Sequence, residues 1–355
     1  MRSSTDQADA PARPGRPRYT RTRSGPLRVL APLLAVLVLL VLITESLALG
    51  SRTLSPEEVW QGLLAYDNSV ASKVVWGLRI HRTILAIVVG ASLAVAGVVM
   101  QALTRNPLAE PGILGVNAGA SLAVVAAIGG LGLTSVNQYL PFAFAGAAAA
   151  AVLVHMMSRR SADSGPARLV LAGVALGASL SSITGTITMY NSKIFDSYRF
   201  WVVGSLENRK LEVLLWVAPF LAVGLVLALA SAHSLNALAL GDEQATALGV
   251  NLAVVRGVAF VALTLLCGAA TAAAGPISFI GLVIPHVVRL LVGADQKHLL
   301  AWSVVAGAGL LLAADVAGRL LIRPTELEAG IVTAFIGAPV LLVLAVTNRT
   351  NRRSA

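Results

Sequence analysis

Apolar and polar positions along this chain alternate on the scale of whole helices. Ten apolar runs occupy roughly residues 28–49, 80–103, 113–133, 138–158, 167–190, 211–232, 253–274, 277–293, 299–318 and 329–347, with short polar islands between them. A helix needs about 20 apolar residues to cross the hydrocarbon of a bilayer, and most runs are close to that length. The seventh and eighth runs are divided only by Gly275-Pro276, where proline withholds a backbone donor. An even number of spans returns the C-terminus to the side of the N-terminus. The pattern predicts an all-α polytopic membrane protein of about ten transmembrane helices. Residues 1–26 read as a disordered basic cytoplasmic arm, 27–348 as the membrane domain and 349–355 as a basic cytoplasmic tail.

Some islands predict structure of their own. Ser55-Pro56-Glu57-Glu58 reads as an N-cap followed by proline and acids in a first helical turn. Residues 194–204 carry Tyr198, Phe200 and Trp201, as a helix lying at the membrane interface would. In the loop 233–252, Asp242 is placed to cap a short helix containing Ala245 and Leu248, and Gly249 to end it. A compact, weakly charged helix pair of this kind suits a groove on another protein. Gly115/Gly119 and Gly173/Gly177 have the spacing of close helix packing in lipid.

Composition agrees. The chain is 56% hydrophobic and 12% charged, whereas a soluble domain carries roughly 25% charged residues. The formal charge of +10 has a membrane explanation and implies no nucleic-acid partner. Arg13, Arg16, Arg18, Arg21, Arg23 and Arg28 crowd the start, and Arg349, Arg352 and Arg353 the end. Basic flanks mark the cytoplasmic side, so both termini are expected there. Arg52, Lys73, Arg79, Arg82, Lys193, Arg199, Arg209, Lys210, Arg319 and Arg323 then fall outside and need a reason. Cys267 is the only cysteine, which excludes an intrachain disulfide and a cysteine-based metal site. The first apolar run is longer than a secretory core and reads as a retained span.

Between the second and third spans stands Arg105-Asn-Pro-Leu-Ala-Glu-Pro-Gly-Ile-Leu-Gly115. So stiff and polar a connector is expected to be held by protein, to face water or to gate a path. It is flanked by Leu78-Arg79-Ile80-His81-Arg82, Gly90-Ala-Ser-Leu-Ala94, Gln101 and Asn117-Ala-Gly-Ala120. Further on come Gly241-Asp-Glu-Gln-Ala-Thr-Ala-Leu-Gly249 and Gly275-Pro-Ile-Ser-Phe-Ile-Gly-Leu-Val-Ile-Pro285-His286. Arg289, Gly293-Ala-Asp295, Asp315, Arg319 and Gly337-Ala-Pro339 complete the set. In this order and spacing the chain, from residue 30 to 347, resembles permease subunits of the FecCD/BtuC type, from type II ABC importers for iron–siderophore complexes, haem and vitamin B12. Arg199-Phe-Trp-Val-Val-Gly-Ser205 and Leu103-Thr-Arg-Asn-Pro look like the ferric-enterobactin subgroup.

The resemblance implies a BtuC-like fold in the bacterial inner membrane and an iron–siderophore cargo, with vitamin B12 or haem as the alternative. It implies two ABC ATPase subunits that meet Gly241, Asp242, Ala245, Leu248 and Gly249. It implies an extracytoplasmic siderophore-binding protein docking on Arg79, Arg82 and Arg319. Arg79 and Arg82, at i and i+3, share a helix face, and pairing with carboxylates would give register and steering. For Arg319, an internal i,i+4 pair with Asp315 is the other reading, and the two roles are compatible. A second related permease completes the pore, as a heterodimer in the enterobactin subgroup or as a homodimer. Asn106 and Leu108 match a cytoplasmic gate, or else a structural turn fixed by Pro107 and Pro111. In the fifth run, Ser179, Ser181, Ser182, Thr184, Thr186 and Thr188 either line a water-filled cavity at the dimer axis or bond back to their own helix. Ser181, Ser182, Thr184 and Thr188 are the pathway candidates.

No Walker A pattern occurs, since Lys73, Lys193, Lys210 and Lys297 follow no Gly-x-x-x-x-Gly. ATP and Mg therefore belong on the partner ATPase, and this chain is expected to bind no cofactor or metal and to perform no covalent chemistry. His286 lacks a second ligand at helical spacing and reads as a packing residue. A membrane-embedded enzyme would need a His-Glu-x-x-His or Gly-x-Ser-x-Gly motif, and neither is present. An ion-coupled carrier is disfavoured by the lack of a recognisable internal repeat and by few embedded carboxylates, Asp315 being the main one. Two departures from the family stand out: His81 replaces a proline, and Glu326-Leu-Glu-Ala-Gly330 replaces Glu-Leu-Pro-Val-Gly, which puts Glu328 near the expected docking face.

Overall fold

The computed structural model describes residues 27–50, 54–64, 69–159, 166–322 and 325–353. The N-terminal arm 1–26, Arg52 and Arg323 lie outside the described residues. Among the described residues the chain is helical with no strand. Helix α1 spans Leu27–Ala48, α2 Pro56–Leu64 and α3 Val70–Val74. A π-helical turn, Val75–Arg79, joins α3 to α4, Ile80–Thr104. A 3₁₀ turn, Pro111–Leu114, precedes α5, Val116–Leu131. Then come α6 (Val136–Arg159), α7 (Pro166–Tyr190), α8 (Ser192–Val202) and α9 (Leu211–Ala230). Two short helices, α10 (Ala232–Ala239) and α11 (Asp242–Ala247), lead to α12 (Leu252–Ala274). The last three are α13 (Ile280–Val292), α14 (Gln296–Leu321) and α15 (Ala329–Arg353).

Ten of these helices, α1, α4 to α7, α9 and α12 to α15, coincide with the ten apolar runs. Six of the ten are long and apolar enough to cross a bilayer unaided; α1, α5, α13 and α15 contribute shorter apolar stretches. Two of the short ones have a structural reason. Helix α13, at 13 residues, is only about 20 Å long at ~1.5 Å per residue, because the chain unwinds from Gly275 to Phe279 before it begins. Helix α5 starts late for the same reason, after the connector 105–115. Irregular backbone at membrane depth survives only where protein or a water-filled cavity satisfies it; the chain from Gly275 to Phe279 and the connector from Leu108 onward are buried or half-buried in the bundle, while Arg105, Asn106 and Pro107 are exposed.

Helix α4 is the axis of the bundle. Its most apolar window is 83% buried, against 11% for α7. It packs on α14, α12 and α13. Lipid supplies no hydrophobic drive between helices, so close backbone approach does the work. A Cβ on Gly97 would stand 1.9 Å from the Gly281 carbonyl oxygen, and one on Gly90 2.4 Å from that of Gly307. Gly119 meets Gly146 of α6 in the same way. The expected Gly173/Gly177 spacing has another use: Gly173 lies against the Ile113 carbonyl, and Gly177 faces Gly115, whose φ of +74° turns the connector into α5.

The polar islands fold largely as their residues direct. Ser55 Oγ accepts the Glu58 N–H at 3.2 Å, and the Glu58 carboxylate accepts the Ser55 N–H at 2.7 Å, a reciprocal cap on α2. Asn191 caps α8 by accepting the Ile194 N–H. Trp201 corrects the interfacial reading of that helix. It is 1% exposed, and its backbone seats against Gly275 at the break before α13; Phe195, Asp196, Arg199 and Phe200 face outward.

Candidate functional site

The connector is anchored deep in the bundle. Asn106 Oδ1 accepts the Leu108 N–H at 3.0 Å, and the Asn106 carbonyl accepts the Ala109 N–H at 3.1 Å. Pro107 stands at the second position of this turn, where its fixed φ suits the bend. Leu108 then joins Phe279, Val340 and Leu341 around the buried pair Leu282 and Val283. The Glu110 carboxylate accepts the Phe279 N–H at 2.7 Å, and Pro111 lies on Gly281. Phe279 holds a left-handed backbone, φ +71°, and its ring sits over Gly337, where a Cβ would come within 2.2 Å. Thus the two unwound segments brace one another, and Glu110 is the brace that sequence reading left without a role.

At the connector's start the coupling segment is tied in. Arg105 ends α4 with φ +49°. Its Nε donates to the Leu238 carbonyl at 3.0 Å, and its guanidinium pairs with Asp242. Arg256 of α12 donates to both oxygens of Asp242 at 2.8 and 2.7 Å. Burial pushes the Asp242 carboxyl up, but the hydrogen bonds and charges of Arg256 and Arg105 outweigh it and hold it below its ordinary value. The link stays ionised at neutral pH and is lost only as pH falls through that lowered value. Asp242 is therefore not the N-cap expected of it. Gly241, φ +118°, occupies that place, and the Asp242 side chain is taken by the two arginines. Gly249, φ +79°, does end the segment. Ala245 is buried against the bundle while Leu240 and Leu248 are exposed. A second tether joins Asn236 of α10 to Asp295 at 2.9 Å, and Asn236 Oδ1 accepts the Gln296 N–H at the head of α14.

The opposite end of α4 holds the three arginines assigned to docking. They form one closed cluster. Arg82 pairs with Asp315 at 2.8 Å and Glu326 at 2.7 Å. Arg319 pairs with Asp315 and donates to the carbonyls of Ser46 and Leu49. Arg79 donates to the Leu47 carbonyl at 2.6 Å. None of the three stands open at the surface: Arg79 and Arg319 are buried, Asp315 is wholly so, and Arg82 keeps only a small exposed edge. The i,i+4 pair of Arg319 with Asp315, the other reading of that position, is present. Glu328 likewise turns inward. Burial pushes its carboxyl above the ordinary value, against a hydrogen bond with Ser205.

A cavity of about 320 Å³ opens between α5, α7 and α8, lined by Asn117, Ser121, Ser181, Thr184, Thr188 and Tyr198, with Pro276 at the break before α13. Three of the four pathway candidates are therefore together, and Ser182 is exposed away from the cavity. Thr184 and Thr188 also bond back to the carbonyls of Leu180 and Thr184, both at 2.9 Å, so lining and back-bonding coexist. Asn117 accepts from Thr271 at 3.0 Å, which fixes its amide at the cavity wall. Among the described residues no group of three His, Cys, Asp or Glu side chains is placed to hold a metal ion. His286 is partly buried one turn from Arg289, which donates to Gln101 at 2.8 Å.

A multipass bundle with an unwound crossing at its centre and a helix pair at one end is the architecture of an ABC importer permease. Residues 37–347 match the profile of the FecCD transport family, and the chain belongs to that family. It is 44% identical over 312 residues to the ferric enterobactin transport system permease protein FepD of Escherichia coli K12, covering 87% of this chain and 93% of that one. It is 39% identical to the Fe(3+)-citrate import system permease protein YfmD of Bacillus subtilis 168, covering 93% and 98%. A solved inward-facing structure assigned to the metal-chelate type of ABC transporter superposes with a TM-score of 0.79 at 30% identity, covering 90% of this chain and 99% of the other. The chain is thus a transport component of the inner membrane and not an enzyme; ATP hydrolysis belongs to a separate subunit.

Proposed function

We propose that this chain is the permease subunit of an importer for iron–siderophore complexes of the ferric-enterobactin kind. The 44% identity to a ferric enterobactin permease over nearly the whole membrane domain carries the reading of cargo. Two ATPase subunits act on α10 and α11, where Gly241, Asp242, Ala245, Leu248 and Gly249 form a compact face tied to the bundle. Cargo passes the hydroxyl-lined cavity at Ser181, Thr184 and Thr188 and leaves by the connector at Asn106 and Leu108. A second permease closes the cavity from the side of α7. Both termini and the coupling segment face the cytoplasm.

At the other end a siderophore-binding protein docks on the arginine cluster by exchange. Arg82 is its most accessible member, and a carboxylate from the partner replaces Glu326 on it. Arg79 and Arg319 hold Arg82 and Asp315 in register.

The test is uptake by proteoliposomes containing this chain, its neighbouring permease, ATPase and binding protein. ATP-dependent accumulation of radiolabelled iron as the enterobactin chelate is expected, and none of labelled vitamin B12 or haem. Accumulation of B12 or haem instead would reassign the cargo. Accumulation without the ATPase would sink the importer reading.

A further inference from the structure

Arg105 belongs at once to the connector and to the coupling segment. Arg105 stands directly before Asn106, so its backbone belongs to the connector. Its side chain belongs to the coupling segment: Nε donates to the Leu238 carbonyl near the end of α10, and the guanidinium pairs with Asp242, the first residue of α11. The backbone at Arg105 is left-handed, φ +49°, the conformation in which helices most readily end on glycine. Glycine would stop α4 here without strain. Arginine stops it with strain, and what the position gains is the grip on two helices of another segment.

We propose that Arg105 is a positioning residue that passes displacement of α10 and α11 to the gate at Asn106–Leu108. Arg256 holds the same carboxylate but stands on α12, part of the packed bundle. Asp242 is thereby anchored once to the frame and once to the connector. A shift of α11 that loosens the frame anchor still carries the connector with it. The Asn236–Asp295 tether restrains α10 from the head of α14, and among the described residues Asn236 hydrogen-bonds to Asp295 and Gln296 and not to the connector, so it serves as the internal comparison.

The inference rests on the functional reading above, and its test is separable from it. Cys267 is the only cysteine in the chain and is buried, so a Leu108→Cys variant reports on the gate alone. In the complex with its ATPase, thiol labelling of that cysteine is followed with and without a non-hydrolysable ATP analogue. We expect nucleotide to change the labelling rate several-fold when Arg105 is present and to leave it nearly constant with Arg105→Gly, which keeps the helix stop and relieves the strain. Arg105→Lys keeps the charge toward Asp242 but loses the fork and falls between. Asn236→Ala keeps the full response. An equal response with Arg105→Gly overturns the proposal, as does a response in neither background. Loss of ATPase co-purification with Arg105→Gly also overturns it, because the residue would then build the docking face and not transmit through it. Cargo uptake by the unmodified complex is scored separately and judges the importer reading alone.

Discussion

Gly97 and Gly257 are both helical glycines in spans, and their surroundings give substitutions opposite signs. A Cβ on Gly97 would lie 1.9 Å from a backbone carbonyl oxygen, which no rotamer change relieves. Gly97→Ala must part α4 from α13, and overpacking of this kind costs roughly 1–3 kcal/mol or more. Nothing lies within 4 Å of a Cβ on Gly257, so Gly257→Ala gains helix propensity of about 0.5–1 kcal/mol. Thermal unfolding of the purified chain in detergent should move down for the first and level or up for the second. Asp315 supplies a second contrast. It is wholly buried and shared by Arg82 and Arg319. Removing one partner of a buried pair costs roughly 3–5 kcal/mol, because the remaining charge stays unpaired. Asp315→Asn should therefore destabilise the chain strongly in the same assay, and Glu326→Gln much less, since Glu326 is partly exposed. If the two are equal, Asp315 is not the keystone of the cluster.

At the scale of elements, the chain's pattern announced what depends on local residues. Ten apolar runs became ten helices, Gly275-Pro276 marked a real break, and Ser55 with Glu58 capped α2 as their spacing implied. What stayed hidden were pairings that only the fold brings together. Arg105 and Asp242 are 137 residues apart, and Arg82 and Asp315 are 233 apart; no periodicity links them. Arg82 accordingly read as a docking residue when its acids were already inside the chain, whereas the i,i+4 spacing of Asp315 and Arg319 had offered that pair. The segment before α15 shows the same effect. Glu328 read as a charge for a partner, yet it turns toward Ser205, and burial raises its carboxyl above the ordinary 4.5. The sign follows directly. A carboxyl whose folded value is raised keeps its proton longer in the native state, so stability declines as pH rises from about 4.5 through the raised value. Glu328→Gln should remove that decline, and its stability relative to the unmodified chain should grow with pH. Parallel stability–pH curves for the two would place Glu328 in water.

For the whole molecule the question is why α7 carries its hydroxyls where it does. Helix α4 is nearly enclosed, as the axis of a bundle should be, whereas α7 has the least buried span. Its Met189 and Tyr190 are almost fully exposed, and Ser181 and Ser182 lie on exposed turns. A helix facing lipid satisfies threonine by back-bonding, as Thr184, Thr186 and Thr188 do, but Ser181 opens on a mixed cavity in which Asn117 and Tyr198 stand beside Ala118 and Val202. A cavity of that chemistry at a lipid boundary would leave polar groups facing hydrocarbon. A second permease laid against α7, as proposed above, would remove the conflict and turn an open recess into half of an enclosed path. Because the native cysteine is buried, a Ser182→Cys variant gives a clean readout of this face. A benzophenone–maleimide attached to that cysteine should, on irradiation in native membranes, couple α7 to a neighbouring permease, and the mass of the product separates a homodimer from a pair with a different chain. If the cysteine instead reacts readily with a lipid-soluble maleimide and yields no cross-linked permease, α7 faces the bilayer, and the transport path must lie elsewhere in the chain.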